Sequence, residues 1–328
     1  MSSPQFRDYV IDDWLAWKGE GADCLLATLV HIEGSGPRPA GSQMAIAVDG
    51  RGPRDMVGYL SGGCVEGAIA EQGLAALQSR RFQVVDFGEG SRYWDINLPC
   101  GSRIHVVIDP LLPLDVAQAI AEARRERRFV TLETDLAEGR HALLEGGDDL
   151  GLRDRSSVVS RWDADGRIAA FRKAYAPSVK LILVGSGPVA ESLAGFALGL
   201  GYDVVALPGH GSWTGPENGL RIIPGDEARA LAKAGMDQRT ALVTLFHDHD
   251  RELEPLQAAL ASDAFYVGAL GSARSQAARR ALLSGRGFGD KDLDRIDGPA
   301  GLPIGAASPP EIALAILAAV VRADRSGA

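Results

Sequence analysis

The spacing of hydrophobic positions changes character near residue 177. Before it, short apolar runs are broken by turns. Cys24 to Ile32 and Gln43 to Val48 read as strands, and the second stops at Asp49-Gly50, a pair that favours a tight hairpin turn, with Asp55 to Leu60 as the returning strand. From Cys64 to Ser79 the period lengthens, and Val65, Ile69, Ala76 and Leu77 fall at the spacing of a predicted helix. Strands follow at Phe82 to Phe87 and Arg103 to Asp109, then a helix from Leu114 to Arg125 whose basic end suits a helix C-terminus. Residues 129 to 172 are polar and hairpin-like, with turn points at Gly146-Gly147 and Asp165-Gly166, and predict a small β-layer on the first domain.

Pro177 interrupts the pattern, and strand–helix alternation follows. Strands are predicted at Lys180 to Val184, Asp203 to Leu207, Thr240 to Phe246 and Ala264 to Leu270, with helices at Asp226 to Ala234, Arg251 to Ala261 and Ser272 to Leu283. The unbroken apolar run Leu181-Ile182-Leu183-Val184 is what a strand covered on both faces requires, as in a parallel sheet. The last helix opens on Ser308-Pro309-Pro310-Glu311, a capping box with proline at the first helical position. Its body, Ile312 to Val321, is apolar nearly all round, which predicts deep packing in the domain or a homodimer contact. The expected fold is α/β throughout: a mixed α/β domain over residues 1–176, then a Rossmann-like, doubly wound parallel-sheet domain over 177–328.

Bulk properties narrow the function. At 328 residues the chain is too long for one ordinary core. A net charge of −9 argues against nucleic acid as a partner, because phosphate-backbone binding needs a basic surface. Three cysteines, Cys24, Cys64 and Cys100, form no CxxC pair and fit neither a disulfide framework nor a zinc knuckle. Met1 to Trp17 lacks the apolar core of a signal peptide, and the most apolar stretch, Glu311 to Val321, is far shorter than the roughly 20 residues that cross a bilayer. A cytoplasmic protein without a membrane span is expected.

Gly185-Ser186-Gly187-Pro188-Val189-Ala190 lies between a buried strand and a helix. The first glycine permits the tight turn, and the second brings backbone N–H groups at Gly185, Ser186, Gly187 and Val189 within reach of a nucleotide phosphate. A dinucleotide site also wants an acid at the tip of the second strand for the ribose hydroxyls. That strand ends Ala206-Leu207-Pro208, and Asp203 is at its other end. The turn predicts the fold more firmly than it predicts a redox cofactor.

Several further segments occur together and in order. They are Gly34-Ser35-Gly36-Pro37-Arg38-Pro39-Ala40-Gly41, Ser61-Gly62-Gly63-Cys64-Val65-Glu66, Leu98-Pro99-Cys100-Gly101, Phe246-His247-Asp248-His249-Asp250, Tyr266 to Ser272, Gly301 to Gly305 and Ser308 to Ala313. Together they resemble the XdhC/CoxI family of xanthine dehydrogenase accessory factors, over residues 11 to 322. Two positions depart from the family pattern: Ser102 stands where a glycine is usual, and Pro188 where histidine is frequent. The resemblance implies a chaperone that binds the molybdenum cofactor, as molybdopterin or its cytidine dinucleotide. It further implies that such a chaperone supports sulfuration by a cysteine desulfurase and inserts the cofactor into an apo molybdenum hydroxylase.

Under that reading each segment has a role. Ser35 and Arg38 lie in a glycine-rich loop suited to a phosphate or pterin oxygen, since a guanidinium gives planar, bidentate recognition; the plain alternative is a turn with a surface salt bridge. Gly62 and Gly63 precede Cys64, whose placement at a helix start favours the thiolate, and Glu66 is a candidate partner for a pterin N–H edge or a proton; the alternative is a small buried cysteine and a first-turn charge. Cys100 sits in a Pro-Cys-Gly turn, and Cys64 and Cys100 together are candidate ligands for the soft metal of the bound cofactor. His247 and Asp248 follow a predicted parallel strand, where polar contact to a nucleotide tail is expected and metal ligation is not. Gly271-Ser272 with Arg274 is either an anion-receptive helix start or plain capping. The competing reading is an NAD(P)- or FAD-dependent oxidoreductase using the C-terminal half.

Overall fold

The computed structural model describes all residues except 1–8, 37, 89, 92–100, 147–156, 217, 247–248 and 327–328. Cys100, His247 and Asp248 therefore lie outside the described residues. The chain divides into two compact units, Met1–Pro177 and Ser178–Ala328.

The first unit is built on an antiparallel five-stranded sheet in the order β3-β2-β1-β5-β4. Its strands are β1 (Asp23–Glu33), β2 (Gln43–Asp49), β3 (Gly52–Gly58), β4 (Gln83–Gly88) and β5 (Arg103–Asp109). Alternation along β1 sends Leu25, Ala27 and Leu29 to one face, where they pack with Ile69 and Ala70 of helix α2 (Glu66–Ser79). Cys24 and Leu26 point the other way, among Ile11 and Trp14 of α1 (Ile11–Gly19) and Ala117, Ile120 and Ala121 of α3 (Leu114–Arg125). Helix α2 begins at Glu66 with Val65 as its N-cap, so Cys64 precedes the helix rather than opening it.

A second antiparallel sheet, ordered β7-β6-β9-β8, comprises β6 (Val130–Asp135), β7 (Arg140–Glu145), β8 (Val158–Trp162) and β9 (Ile168–Tyr175). It packs Val158, Ile168 and Phe171 against Val30 and Val107 of the first sheet. A buried hydrogen bond, His141 Nε2 to Asp109 Oδ2 at 2.7 Å, joins the end of β5 to β7.

The second unit is a parallel six-stranded sheet in the order β12-β11-β10-β13-β14-β15. Its strands are β10 (Lys180–Val184), β11 (Asp203–Leu207), β12 (Leu220–Ile222), β13 (Thr240–Thr244), β14 (Tyr266–Ala269) and β15 (Ile296–Asp297). This is the doubly wound Rossmann order, with the switch point between β10 and β13. The continuous apolar run of β10 has the expected cause. Leu181 and Leu183 face α4 (Pro188–Gly199) and α9 (Pro309–Ser326), while Ile182 and Val184 lie in the cluster that holds Leu253 and Leu256 of α6 (His249–Leu260). Ala313, Ile316, Leu317 and Val320 of α9 are buried in this core, so much of the helix's apolar surface is used inside the unit. At its start, the Glu311 carboxylate accepts from the amides of Ala307 and Ser308 at 2.9 and 2.8 Å.

Candidate functional site

Three of the predicted segments leave the five-stranded sheet at the same end. The Gly34–Gly41 loop joins β1 to β2, the Ser61–Glu66 loop follows β3, and residues 89–102 join β4 to β5. Antiparallel pairing makes this so: Glu33 lies opposite Arg103, Gly88 opposite Arg103, and Met44 opposite Gly58. β1 and β5 run on beyond β2, whose first residue Gln43 pairs with Thr28. Gly34 approaches Ser102, just before β5: a Cβ placed on Gly34 would lie 3.7 Å from Ser102 Cα. Ser35 is exposed and Arg38 half-buried.

The Cys64 loop is fixed at both ends. Gly58 closes β3 at φ 85°, where a Cβ would collide with Gln43 O, so the exit requires glycine. Leu60 and Val65, both fully buried, anchor the loop in the core beside Ile69. Between them Gly62, Gly63 and Cys64 are exposed, and Cys24 by contrast is buried. Cys24 donates to Ala22 O at 3.7 Å, and burial pushes its thiol up to about 11.

Glu66 stands in the first turn of α2, as one of the two sequence readings has it. Its side chain turns back beneath the loop and is almost fully buried. Oε1 accepts from the amides of Leu60 (2.9 Å), Ser61 (2.8 Å) and Gly62 (3.3 Å). Oε2 accepts from the Ser61 hydroxyl (2.8 Å) and the amides of Gly63 (3.0 Å) and Val65 (3.1 Å). Burial alone raises the carboxyl's pKa, but the donors of Ser61 and Leu60 outweigh it and hold the group below its ordinary value. Both oxygens accept from the chain's own donors, the amides of Gly62 and Gly63 among them.

A cluster that the sequence did not single out stands on the strand leading into the Gly34 loop. His31 and His105 pair across β1 and β5 with ring centroids 5.6 Å apart. Trp162 meets both edge-on, at 5.1 and 5.7 Å. His105 Nε2 lies 3.0 Å from Glu33 Oε1, and burial together with His105 holds His31 below its ordinary value. The only cue in sequence is that a histidine stands on each of two strands, and it becomes informative once the register is known.

In the second unit, Gly185 and Gly187 have φ of 120° and 109°, and Gly187 is the N-cap of α4. Gly185 donates to Leu207 O at 2.9 Å and packs against Leu245, so a Cβ there would crowd Leu245 on a backbone that side chains rarely adopt. The chain after β11 folds over this turn. A Cβ on Gly211 would fall on the Ser186 hydroxyl, and one on Gly215 would lie 2.9 Å from Glu191 Cβ. Glu191 Oε1 accepts from the Thr214 amide (2.9 Å) and hydroxyl (2.7 Å), while Val189 and Trp213 pack on the same core cluster. β11 ends at the buried Leu207, with no carboxylate at its tip. Ser272 caps α7 (Ala273–Ser284) by accepting from the Ser275 amide at 3.1 Å.

Among the described residues no group of three or more histidine, cysteine or carboxylate side chains is arranged to hold a metal ion, and no helix is long and apolar enough to cross a membrane.

Comparison with known proteins agrees with this architecture. The model of the XdhC and CoxI family matches residues 17–88, and that of the XdhC Rossmann domain matches residues 181–320. The chain is 32% identical over 302 residues to the molybdenum cofactor insertion chaperone PaoD of Escherichia coli, covering 92% of this chain and 83% of that protein. It is 25% identical over 317 residues to a probable xanthine dehydrogenase subunit of Bacillus subtilis, covering 92% and 93%. A crystal structure described as a xanthine dehydrogenase from Bacillus halodurans superposes with a TM-score of 0.75 at 24% identity, covering 96% of both chains, and shows the same fold.

Proposed function

The chain belongs to the XdhC and CoxI family, and from that premise we propose that it is a molybdenum cofactor chaperone, binding the cofactor as cargo and inserting it into a xanthine dehydrogenase-type hydroxylase. The observation that carries the reading is the exposed Cys64 on a loop hydrogen-bonded from beneath, at the sheet end where β1 leads into the Gly34 loop, β4 ends and β5 begins. A thiolate is a suitable ligand for a soft metal–dithiolene centre. Arg38, half-buried in the neighbouring loop, supplies the planar donor fork for a phosphate or pterin oxygen, and Ser35 an exposed hydroxyl. The 32% identity to an insertion chaperone over most of both chains supports the same assignment.

Cys100 belongs to the proposed site as the second thiol, and sulfuration of the held cofactor by a cysteine desulfurase is part of the proposed cycle. Molybdopterin and its cytidine dinucleotide share the pterin and metal end that Cys64 would meet. The oxidoreductase reading is not favoured. The chain's own 208–216 segment packs against Ser186 and Glu191 beside the Rossmann turn, and Leu207 stands where a ribose-binding acid belongs.

The test is transfer. Loaded chain, purified anaerobically, is mixed with a cofactor-free molybdenum hydroxylase, and hydroxylase activity is followed. The reading expects activation well beyond that given by free cofactor at equal concentration. Equal activation by free cofactor overturns insertion as the function.

A further inference from the structure

The Ser61–Val65 segment has the composition of an anion-binding loop, with two glycines in succession before a helix. Its geometry is the reverse of one. The amides that would cradle a phosphate, those of Ser61, Gly62, Gly63 and Val65, converge instead on the buried Glu66 carboxylate. A carboxylate has about four lone-pair directions, so six donors leave it no capacity for a ligand. Gly62 and Gly63 adopt φ of 107° and 114°, and nothing lies within 4 Å of where their Cβ atoms would stand. They are needed for a backbone path that turns the amides inward, not for clearance. Ser61 completes the arrangement: its hydroxyl donates to Glu66 Oε2 and accepts from the amides of Cys64 (3.0 Å) and Val65 (3.2 Å). The backbone of Cys64 is thus tied, through one hydroxyl, to a carboxylate two residues further on.

We propose that Glu66 is the positioning residue of the Cys64 loop: its carboxylate moulds Ser61–Val65 into one conformation and so sets the direction of the thiol, without touching the cargo. Two consequences bear on recognition. The five amides that Glu66 engages are withdrawn from any ligand, so this loop does not hold the cofactor's phosphate. What the loop presents to cargo is the Cys64 thiol, and the phosphate falls to other donors. The consequence for cargo rests on the proposed function; the positioning itself does not.

The experiment uses the full-length chain. Glu66→Gln keeps the shape of the side chain but places an NH2 group among donors. The rate of iodoacetamide alkylation is measured at Cys64 and at Cys24 by peptide mass spectrometry, which separates the thiols. Bound molybdopterin after anaerobic co-expression is measured in parallel. The buried Cys24 reports general loosening of the unit, which a purely structural role would produce. The proposal expects Cys64 alkylation to change by about tenfold or more with Cys24 still protected, and bound molybdopterin to fall by about tenfold or more. A Cys64 rate within about twofold of the parent, or Cys24 exposed in step with it, overturns the proposal. If Glu66→Gln does not fold, Ser61→Ala is read by the same criteria, and failure of both variants to fold assigns Glu66 to stability alone and also overturns it. If the parent chain holds no molybdopterin while the Cys64 rate still shifts, the cofactor reading fails and the positioning role stands.

Discussion

Arg279 and Glu252 form a fully buried, two-pronged ion pair, with Nε to Oε1 at 2.9 Å and Nη2 to Oε2 at 3.0 Å. The guanidinium also donates to Gln276 Oε1 at 2.6 Å and to Leu270 O at 3.0 Å, and Thr244 Oγ1 lies 3.4 Å from Glu252 Oε2. Thr244 ends β13 and Leu270 follows β14, so the pair ties α6 and α7 to the edge of the sheet where a Rossmann domain binds its ligands.

Removing one member strands a buried charge. Arg279→Leu is expected to cost roughly 3–5 kcal/mol in urea unfolding, and a Glu252→Leu change added to it should recover part of that loss. A loss under about 1 kcal/mol would mean that the charges are solvated or re-paired in the folded chain.

The loop folded over the glycine turn makes two measurable statements. Gly211→Ala pushes a methyl group onto Ser186, and overpacking of this kind costs about 1–3 kcal/mol; adding Ser186→Gly should relieve part of it. Calorimetric titration of the full chain with NAD(P) or FAD is expected to show no binding. Saturable binding of any of them would revive the oxidoreductase reading.

Alkaline pH should destabilise the protein. Burial is the main cause that pushes Tyr175 and Tyr266 above the ordinary phenol range, Tyr202 up to about 12 and the Cys24 thiol up to about 11. Unfolded, these groups ionise near about 10 for tyrosine and about 8.5 for cysteine. Raised folded-state values mean that their stabilising contribution is complete below the unfolded values and is lost as pH rises through the folded ones. Melting temperature should therefore fall progressively from about pH 8.5 upward. A flat or rising profile would contradict the burial of these groups.

Much of the fold was legible in the sequence, and for identifiable reasons. The central strand β10 is covered on both faces, so its sequence reads as an apolar run, and the Gly185 turn marks where it meets its helix. β12 and β15 were missed because three- and two-residue edge strands carry no period. α1 was missed as well: it has nine residues, and only Ile11 and Trp14 of its length are buried. The start of α2 was placed two residues early because Glu66 reads as an ordinary first-turn acid until its donors are seen. That reversal, and the folding of 208–216 over Ser186, depend on contacts between residues that no local pattern connects. The Cys64 loop was legible as a segment; which of its atoms are free was not.

The proposed function requires Cys64 to face the molybdenum cofactor. It is tested most directly by purifying the parent and Cys64→Ala chains anaerobically after co-expression with cofactor biosynthesis, and measuring bound pterin by fluorescence after oxidation. The account predicts molybdopterin on the parent chain and a loss of about tenfold or more in Cys64→Ala, with circular dichroism unchanged in this exposed substitution. Equal pterin on both chains, or none on the parent, would contradict it.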